Sequence, residues 1–130
     1  MSIPYVYDAG VLSAIDGNDR RMWAIHHLAL EEGRRLLVPA VVVGQAWRDP
    51  RRQVQLGRFL HSCEVASVGL ELAKAAGVLC GKAGTRDVVD AVVVTVALAY
   101  GAIVFTSDPD DIAPLSAASE VKPGLVIRRL

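Results

Sequence analysis

The alternation of short apolar runs with longer segments of helical pattern is the feature that most constrains the fold of this 130-residue chain. The longer segments repeat apolar residues every three or four positions and several end at glycine, which is typical of helices. Strands that alternate with helices form a mostly parallel sheet with helices on both faces. The sequence therefore predicts one α/β domain over residues 1–130 with four to five strands, drawn from the runs IPYVYD, RLLVP, CEVASV, AIVFTSD and GLVIRRL.

Two helix predictions depend on local signals. The valines of DVVDAVVVTVALAYG favour a strand, but about 13 residues ending at a glycine are too many for a typical strand, so we predict a helix buried on nearly every side. Asp49 followed by Pro50 is typical of a helix start. We therefore predict a second helix, DPRRQVQLGRFL, that carries Arg51, Arg52 and Arg58.

Composition narrows the class of protein. Lys plus Arg and Asp plus Glu number 14 each, so no overall positive charge indicates a nucleic-acid partner. Cys63 and Cys80 lack the spacing of metal ligands, which predicts buried thiols in a reducing compartment. No apolar stretch reaches the roughly 18 to 20 residues of a membrane span, and no basic segment opens the chain. We expect a soluble, cytoplasmic protein.

Three aspartates stand where a strand and a helix meet. Asp8 follows the first strand, Asp108 follows the fourth, and Asp90 opens the helix leading into the fourth. Because parallel strands end at one edge of a sheet, these side chains are expected at one rim. Asp108 before Pro109 also fits a helix N-cap. Asp90 also fits the acidic end of a capping box that begins at Asp87, and Asp8 a turn residue.

Carboxylates gathered at one rim require a positive partner. At about 5 Å, each like-charge pair costs roughly 3 kcal/mol at an effective dielectric of about 20. Oxygen ligands favour Mg²⁺ or Mn²⁺ over zinc, and the adjacent His26 and His27 would point in different directions on a helix. Such an ion activates water and stabilises charge on a phosphoryl oxygen. The sequence therefore predicts hydrolysis of phosphodiester bonds.

Basic side chains offer contacts for the phosphates of a polyanion. Trp47 is available to stack on an unpaired base. The alternative is that the arginines form a solvated helix face and that the tryptophan belongs to the core. The candidate phosphate contacts are Arg48, Arg51, Arg52, Arg58 and Arg86.

Three segments resemble the PIN domain, and in particular the VapC-type toxins of bacterial toxin-antitoxin pairs. They are YVYDAGVLSAI, VPAVVVGQAWR and DAVVVTVALAYGAIVFTSDPDDI, and the resemblance covers almost the whole chain. It implies a three-layer α/β/α fold and a metal-dependent endoribonuclease that uses Mg²⁺ or Mn²⁺. It also implies a homodimer, a small antitoxin that enters the active site, and structured RNA such as tRNA or rRNA as substrate.

The resemblance assigns roles to individual residues. Asp8 matches the first carboxylate of the family, Asp90 the helix carboxylate, and Asp108 the carboxylate after the fourth strand. These three would be catalytic metal ligands. Thr106 matches the hydroxyl residue beside them, and Asp111 would support a second ion or a water.

Gln45 departs from the family pattern, which usually has glutamate there. Its amide oxygen is a possible ligand, but without charge it should weaken metal binding or move the ion. Asp87, one helical turn before Asp90, is placed to replace some of that charge. A second interpretation is therefore a PIN-like module that binds RNA or protein without cleaving. A third, a phosphoacceptor signalling domain, is disfavoured because Lys122 precedes the last strand rather than following a strand end.

Overall fold

The computed structural model describes residues 2–130. These residues form a sheet of five short strands. They are β1 (Tyr5–Tyr7), β2 (Leu36–Pro39), β3 (Glu64–Ala66), β4 (Ile103–Thr106) and β5 (Ile127–Arg129). All neighbouring pairs are parallel, in the order β3-β2-β1-β4-β5. Tyr7 pairs with Phe105, so the ends of β1 and β4 reach the same edge of the sheet. The predicted parallel sheet is confirmed.

Helices cover the two faces of this sheet. The connections from β1 to β2 and β3 run in one direction along the sheet, and those from β3 to β4 and β5 run in the other. Because such crossovers are right-handed, the two sets of helices lie on opposite faces. In one layer the first helix contacts the second, third and fourth, and in the other layer the last three helices contact one another. This arrangement confirms the three-layer architecture. The helices are α1 (Ala9–Asp16), α2 (Arg20–Glu31), α3 (Ala40–Ala46), α4 (Val54–His61), α5 (Leu70–Ala83), α6 (Val88–Tyr100) and α7 (Pro109–Ala118).

The valine-rich segment forms the helix α6, as predicted. It packs against β1, β2 and β4 and is flanked by α5 and α7, so six of its residues are buried. Gly101 ends it with a φ of 61°, a left-handed conformation that glycine adopts without a side-chain clash. Length and the glycine stop therefore outweigh the strand propensity of valine here.

The predicted helix start at Asp49 is wrong. Asp49 Oδ1 accepts the backbone N–H of Arg51 at 3.0 Å, a local turn that competes with helix formation. The helix begins only at Val54. Arg51 and Arg52 therefore lie in a loop, here called the arginine loop (residues 47–53), and of the three predicted helical arginines only Arg58 lies on α4.

The core lies between the sheet and the two helix layers. Val6 and Val104 of the central strands are fully buried, as are Leu12 of α1 and Val93 of α6. The thiols of Cys63 and Cys80 are free; the Cys80 residue is buried and Cys63 half-buried. None of the helices built by residues 2–130 is both long and apolar enough to span a bilayer.

Candidate functional site

Asp8 and Thr106 join the ends of the two central strands. Asp8 is only 7% exposed, and its Oδ2 accepts the hydroxyl hydrogen of Thr106 at 2.8 Å. Its Oδ1 accepts the backbone N–H of Ala9 at 2.7 Å, so Asp8 also caps α1. The capping role and the predicted place at the rim are therefore compatible, because the two oxygens serve different partners.

A glycine lets α1 approach the residues that follow β4. A Cβ placed on Gly10 would lie 2.8 Å from the Cβ of Ser107, a distance that real side chains do not tolerate. Ser107 Oγ in turn donates to Asp108 Oδ2 at 3.3 Å. Gly10 thus permits the close contact between the start of α1 and Ser107, the residue before Asp108.

Asp108 stands at the start of α7 but does not cap this helix with its side chain. Its backbone N–H donates to Thr106 Oγ1 at 3.0 Å. Thr106 therefore accepts from Asp108 while it donates to Asp8, and one hydroxyl links both strand ends. The exposed Asp108 carboxylate remains directed to solvent and to Ser107.

Asp87 and Asp90 form the third part of the rim. Asp87 Oδ1 accepts the backbone N–H of Asp90 at 3.0 Å and caps α6. The reverse bond of a capping box does not form, because the Asp87 N–H donates to Thr85 Oγ1 at 3.2 Å. The cap that Asp87 provides is therefore confirmed, the second bond of the capping box is absent, and the Asp90 carboxylate is not used for capping.

The surroundings of Asp90 raise its pKa to about 7. Burial is the largest cause, followed by a hydrogen bond and the charge of Asp87, and then by the charges of Asp8 and Asp111. Negative charge from β1, α6 and α7 therefore converges on Asp90. We call Asp8, Asp87, Asp90, Asp108 and Asp111 the carboxylate rim.

The donor chemistry of the carboxylate rim fits a hard divalent cation. Its donors are carboxylate oxygens, and the repulsion that raises the pKa of Asp90 is what a cation would relieve. Within residues 2–130, no three acidic, histidine or cysteine side chains lie close enough together to form a metal site. Asp108 in particular is joined to Asp8 only through Thr106.

Gln45 is exposed near the end of α3, the helix that directly follows β2. Since β2 pairs with β1, α3 begins at the same edge of the sheet as α1, which it contacts. The residue that departs from the family pattern is therefore on the same side of the sheet as Asp8.

The arginines predicted to contact phosphates differ in how strongly their guanidinium groups are bonded within the protein. Arg48 Nη1 donates to the carbonyl oxygens of Gly44 at 3.0 Å and Trp47 at 2.7 Å, so this guanidinium closes the end of α3. Arg51 and Arg52 are 90% and 88% exposed, with long ion pairs of 3.6 and 3.9 Å to Asp49. Such exposed pairs contribute little to stability, so both guanidinium groups are only weakly held.

Arg86 and Trp47 are the remaining residues that were predicted to contact RNA. Arg86 is exposed and directly precedes Asp87 of the carboxylate rim. Trp47 is half-buried and packs against the hydrophobic core, beside Gly57 of α4. The core interpretation of the tryptophan is therefore favoured over base stacking.

The role of Gln53 was not predicted. Its side chain is 6% exposed and bonds to four different groups around the arginine loop. A single polar residue before an apolar helix carries no distinctive pattern. Only the structure reveals it.

A second polar cluster, the His26 cluster, consists of Tyr7, His26 and Ser62. His26 Nδ1 lies 3.0 Å from the Tyr7 hydroxyl, and Nε2 lies 2.7 Å from Ser62 Oγ. Because Ser62 donates its one hydroxyl hydrogen to the carbonyl of Phe59 at 2.6 Å, it must accept from Nε2–H. Nδ1 then accepts from Tyr7, and every polar atom of the cluster has a partner.

Burial sets the protonation state of this cluster. It lowers the pKa of His26 to about 4, with a smaller contribution from His27. Burial also raises the pKa of Tyr7 far above its ordinary value. A cavity of about 700 Å³ between α2 and α4 is lined by His26, Trp23 and Arg58 among others, and no carboxylate of the rim lines it.

No protein-family model and no curated protein matches this chain. Solved structures do match it. VapBC2 from Rickettsia felis, bound to a DNA fragment from its promoter, has a TM-score of 0.68 and 14% identity, over 98% of this chain and 99% of that chain. DNA-bound VapBC from Salmonella typhimurium has a TM-score of 0.66 and 16% identity, over 98% of both chains.

A third match is PAE2754 from Pyrobaculum aerophilum, with a TM-score of 0.63 and 18% identity over 96% of this chain and 83% of that chain. At sequence identities this low, the structural matches establish a shared fold alone. The chain therefore has the PIN-like α/β fold that its resemblance to PIN domains predicts, and it shares this fold over nearly its full length with the two VapBC structures.

Proposed function

We propose that this protein is a metal-dependent endoribonuclease, a cytoplasmic VapC-like toxin that hydrolyses RNA phosphodiester bonds and is neutralised by a cognate antitoxin. The observation that carries the proposal is the convergence of charge at the carboxylate rim. Asp8 is buried and tied by Thr106 to the residue that begins α7. The charges of Asp87, Asp8 and Asp111 all act on Asp90.

Asp8, Asp90 and Asp108 are the proposed ligands of Mg²⁺ or Mn²⁺, which when bound would activate water and stabilise phosphoryl charge. Thr106 holds the Asp8 carboxylate in one orientation by donating to Oδ2. Asp111 is the proposed auxiliary carboxylate. Because Asp90 has a pKa of about 7, its proton must leave before it can bind a cation.

Asp87 and Gln45 complete the proposed site. Asp87 adds negative charge one turn before Asp90 and keeps the helix start in place. Gln45 would offer an amide oxygen from α3. The metal concentration needed for half-maximal cleavage should therefore rise as the pH falls from about 8 to about 6, since protons compete for the Asp90 carboxylate.

The decisive measurement is cleavage of bulk tRNA with Mg²⁺ or Mn²⁺. Asp8→Asn and Asp90→Asn should each lose about 100-fold or more in rate, because each removes charge that must balance the cation. Asp110→Asn is the matched control, since Asp110 is an exposed carboxylate on α7 outside the rim, and it should keep its rate. Circular dichroism checks that all variants fold. Undiminished cleavage in both rim variants would refute the proposal.

The proposed RNA contacts are Arg48, Arg51, Arg52 and Arg86, in the arginine loop and before α6. The exposure of Arg51 and Arg52 supports this, because weakly paired guanidinium groups can turn to phosphates. Replacing both with glutamine should weaken tRNA binding and flatten its salt dependence. Replacing Arg20 and Arg21 of α2 with glutamine removes the same two charges elsewhere and controls for the loss of charge alone.

A cognate antitoxin is the proposed protein partner. Two of the matched structures are of VapBC assemblies, and this supports the same kind of pairing here. Expression of this chain should arrest bacterial growth, and co-expression of a small protein encoded directly upstream should rescue it. Growth arrest that persists with every neighbouring small protein would contradict the pairing.

A second candidate function, favoured by the neutral Gln45, is a PIN-like module that binds RNA or protein without cleaving. It predicts tRNA binding without turnover at saturating Mn²⁺. Gln45→Glu separates the two, because restoring the charge should create or increase cleavage if the missing carboxylate limits the site. Full cleavage by the unmodified protein would exclude the module.

A homodimer is the proposed oligomeric state, and α5 carries a face suited to it. Glu71, Ala75, Val78 and Lys82 are exposed at the spacing of one helix face, and Val78 is 61% exposed. In an antiparallel two-fold pair of these helices, Glu71 of one copy faces Lys82 of the other. Glu71→Lys should favour the monomer in light scattering, and adding Lys82→Glu should restore the dimer.

A further inference from the structure

We propose that Gln53 is a positioning residue that fixes the arginine loop so that Arg51 and Arg52 are presented to RNA. This inference rests on the proposed function for its RNA partner. It adds a residue to which neither the sequence nor the resemblance gives a role.

The side-chain amide of Gln53 uses all of its hydrogen-bonding capacity. Oε1 accepts the backbone N–H groups of Arg48 at 2.6 Å and Asp49 at 3.0 Å. Nε2 donates to the Ala46 carbonyl at 2.8 Å and to Asp16 Oδ2 at 3.2 Å. Since the side chain is only 6% exposed, water competes little for these four bonds.

These bonds join three helix ends around the arginine loop. Ala46 is the last residue of α3, Asp16 is the last residue of α1, and Gln53 itself directly precedes α4. The same α1 is capped by Asp8 at its other end, and α3 carries Gln45. Gln53 therefore fixes the loop relative to the helices that leave the carboxylate rim.

The loop so fixed presents two of its three arginines. Arg48 is anchored, because its guanidinium bonds to the carbonyls of Gly44 and Trp47. Arg51 and Arg52 project from the loop at 90% and 88% exposure. A loop already held in its binding conformation loses less entropy when it meets phosphates, so its affinity is higher.

Gln53→Glu tests this role with little change in size. A glutamate keeps an oxygen for the Arg48 and Asp49 N–H groups but loses both Nε2 donors and sets a charge against Asp16 Oδ2. Gln55→Glu is the matched control, because it makes the same change two residues later at an exposed position of α4.

The first readout is limited trypsin digestion, which needs no RNA. Trypsin cleaves after arginine, and the loop holds Arg48, Arg51 and Arg52. Loss of two buried hydrogen bonds should increase loop opening, and hence cleavage within the loop, about tenfold in Gln53→Glu. The rate for Gln55→Glu should match that of the unmodified protein.

The second readout is anisotropy of fluorescein-labelled bulk tRNA without divalent metal. The Kd of Gln53→Glu should rise about fivefold above that of Gln55→Glu, a difference that the added charge cannot explain. In cleavage assays KM should rise by a similar factor, with kcat changed less than about twofold, because the loop acts on binding and not on the reacting atoms.

Each outcome decides a separate point. Unchanged trypsin cleavage in Gln53→Glu would overturn the positioning role. Faster loop cleavage with the tRNA affinity of the control would overturn the link to RNA. No tRNA binding by the unmodified protein would contradict the proposed function as well as that link, whereas the trypsin result would still report on the loop. If Gln53→Glu does not fold, Asp16→Ala removes one of the four bonds and should raise loop cleavage about threefold.

Discussion

Two polar regions begin at consecutive residues, Tyr7 at the end of β1 and Asp8 directly after it, and they are opposite in character. Tyr7 leads into the His26 cluster, where each donor meets an acceptor and burial keeps the imidazole neutral. Asp8 leads into the carboxylate rim, where like charges converge and raise the pKa of Asp90. A satisfied buried cluster stabilises a fold, whereas a cluster with unbalanced charge is typical of a site for a ligand.

The largest expected effect comes from breaking the satisfied region. His26→Leu leaves the Tyr7 hydroxyl without its acceptor in a dry environment, so the free energy of unfolding should fall by about 3 kcal/mol. Urea denaturation measures it. The matched control is His27→Leu at the exposed neighbouring position, which should change stability by less than about 0.5 kcal/mol. Equal effects in the two variants would remove the distinction between the regions.

Thr106 bonds to two residues of the rim, but its own hydroxyl both donates and accepts, so its removal should lower stability as removal of His26 does. Thr106→Val removes the donor to Asp8 Oδ2 and the acceptor of the Asp108 N–H, and should lower stability by about 2 kcal/mol. Thr106→Ser should recover most of the loss. Thr95→Val serves as a control, because the Thr95 hydroxyl bonds only to Ala91 O within α6.

Asp90→Asn should change stability in the opposite direction. Removing a carboxyl whose pKa is raised to about 7 should stabilise the metal-free protein at pH 8 by about 1 to 2 kcal/mol, after allowance for its partial exposure. The gain should shrink as the pH falls and vanish below about pH 3, where Asp90 is protonated in both the folded and the unfolded protein. Asp110→Asn should show no such gain. Destabilisation at pH 8 would show that the rim is not electrostatically strained.

The smallest expected effect is the change in stability of the unmodified, metal-free protein between about pH 4 and pH 6.5. There the unfolded state binds a proton at His26 that the folded state does not, so stability rises with pH. The folded state binds a proton at Asp90 that the unfolded state does not, so stability falls with pH. The two slopes oppose, and the net change should stay below about 1 kcal/mol.

Variants at these two positions would reveal each slope alone. In Asp90→Asn only the His26 contribution remains, so stability should fall as the pH drops below about 6.5. In His26→Gln only the Asp90 contribution remains, so stability should fall as the pH rises towards about 7. Chemical denaturation across this range measures both. A flat profile in either variant would contradict the corresponding pKa shift.

The sequence predicts those features that depend on periodicity and on strand ends. The order of the strands and helices and the helix α6 follow from apolar spacing, length and glycine stops. The meeting of Asp8 with the residues after β4 follows from the parallel pairing of β1 and β4. These are local or topological rules, and one sequence suffices for them.

Features that depend on side-chain partners far along the chain were not predictable. The arginine loop replaces a predicted helix start because Asp49 and Gln53 bond to its backbone. Asp49 before Pro50 carries no sign of that competition. Tyr7, 19 positions from His26, likewise gives no local signal of their contact.

The hydrogen bond from Thr106 to Asp8 joins residues 98 positions apart. Asp8 is made before Thr106, so a nascent chain lacks part of the rim until it extends beyond β4. Pairing of β1 with β4 must close this long loop before the bond can form, and such long-range parallel contacts form slowly. The rim therefore cannot be complete before the chain has been made as far as Asp108 and Asp111.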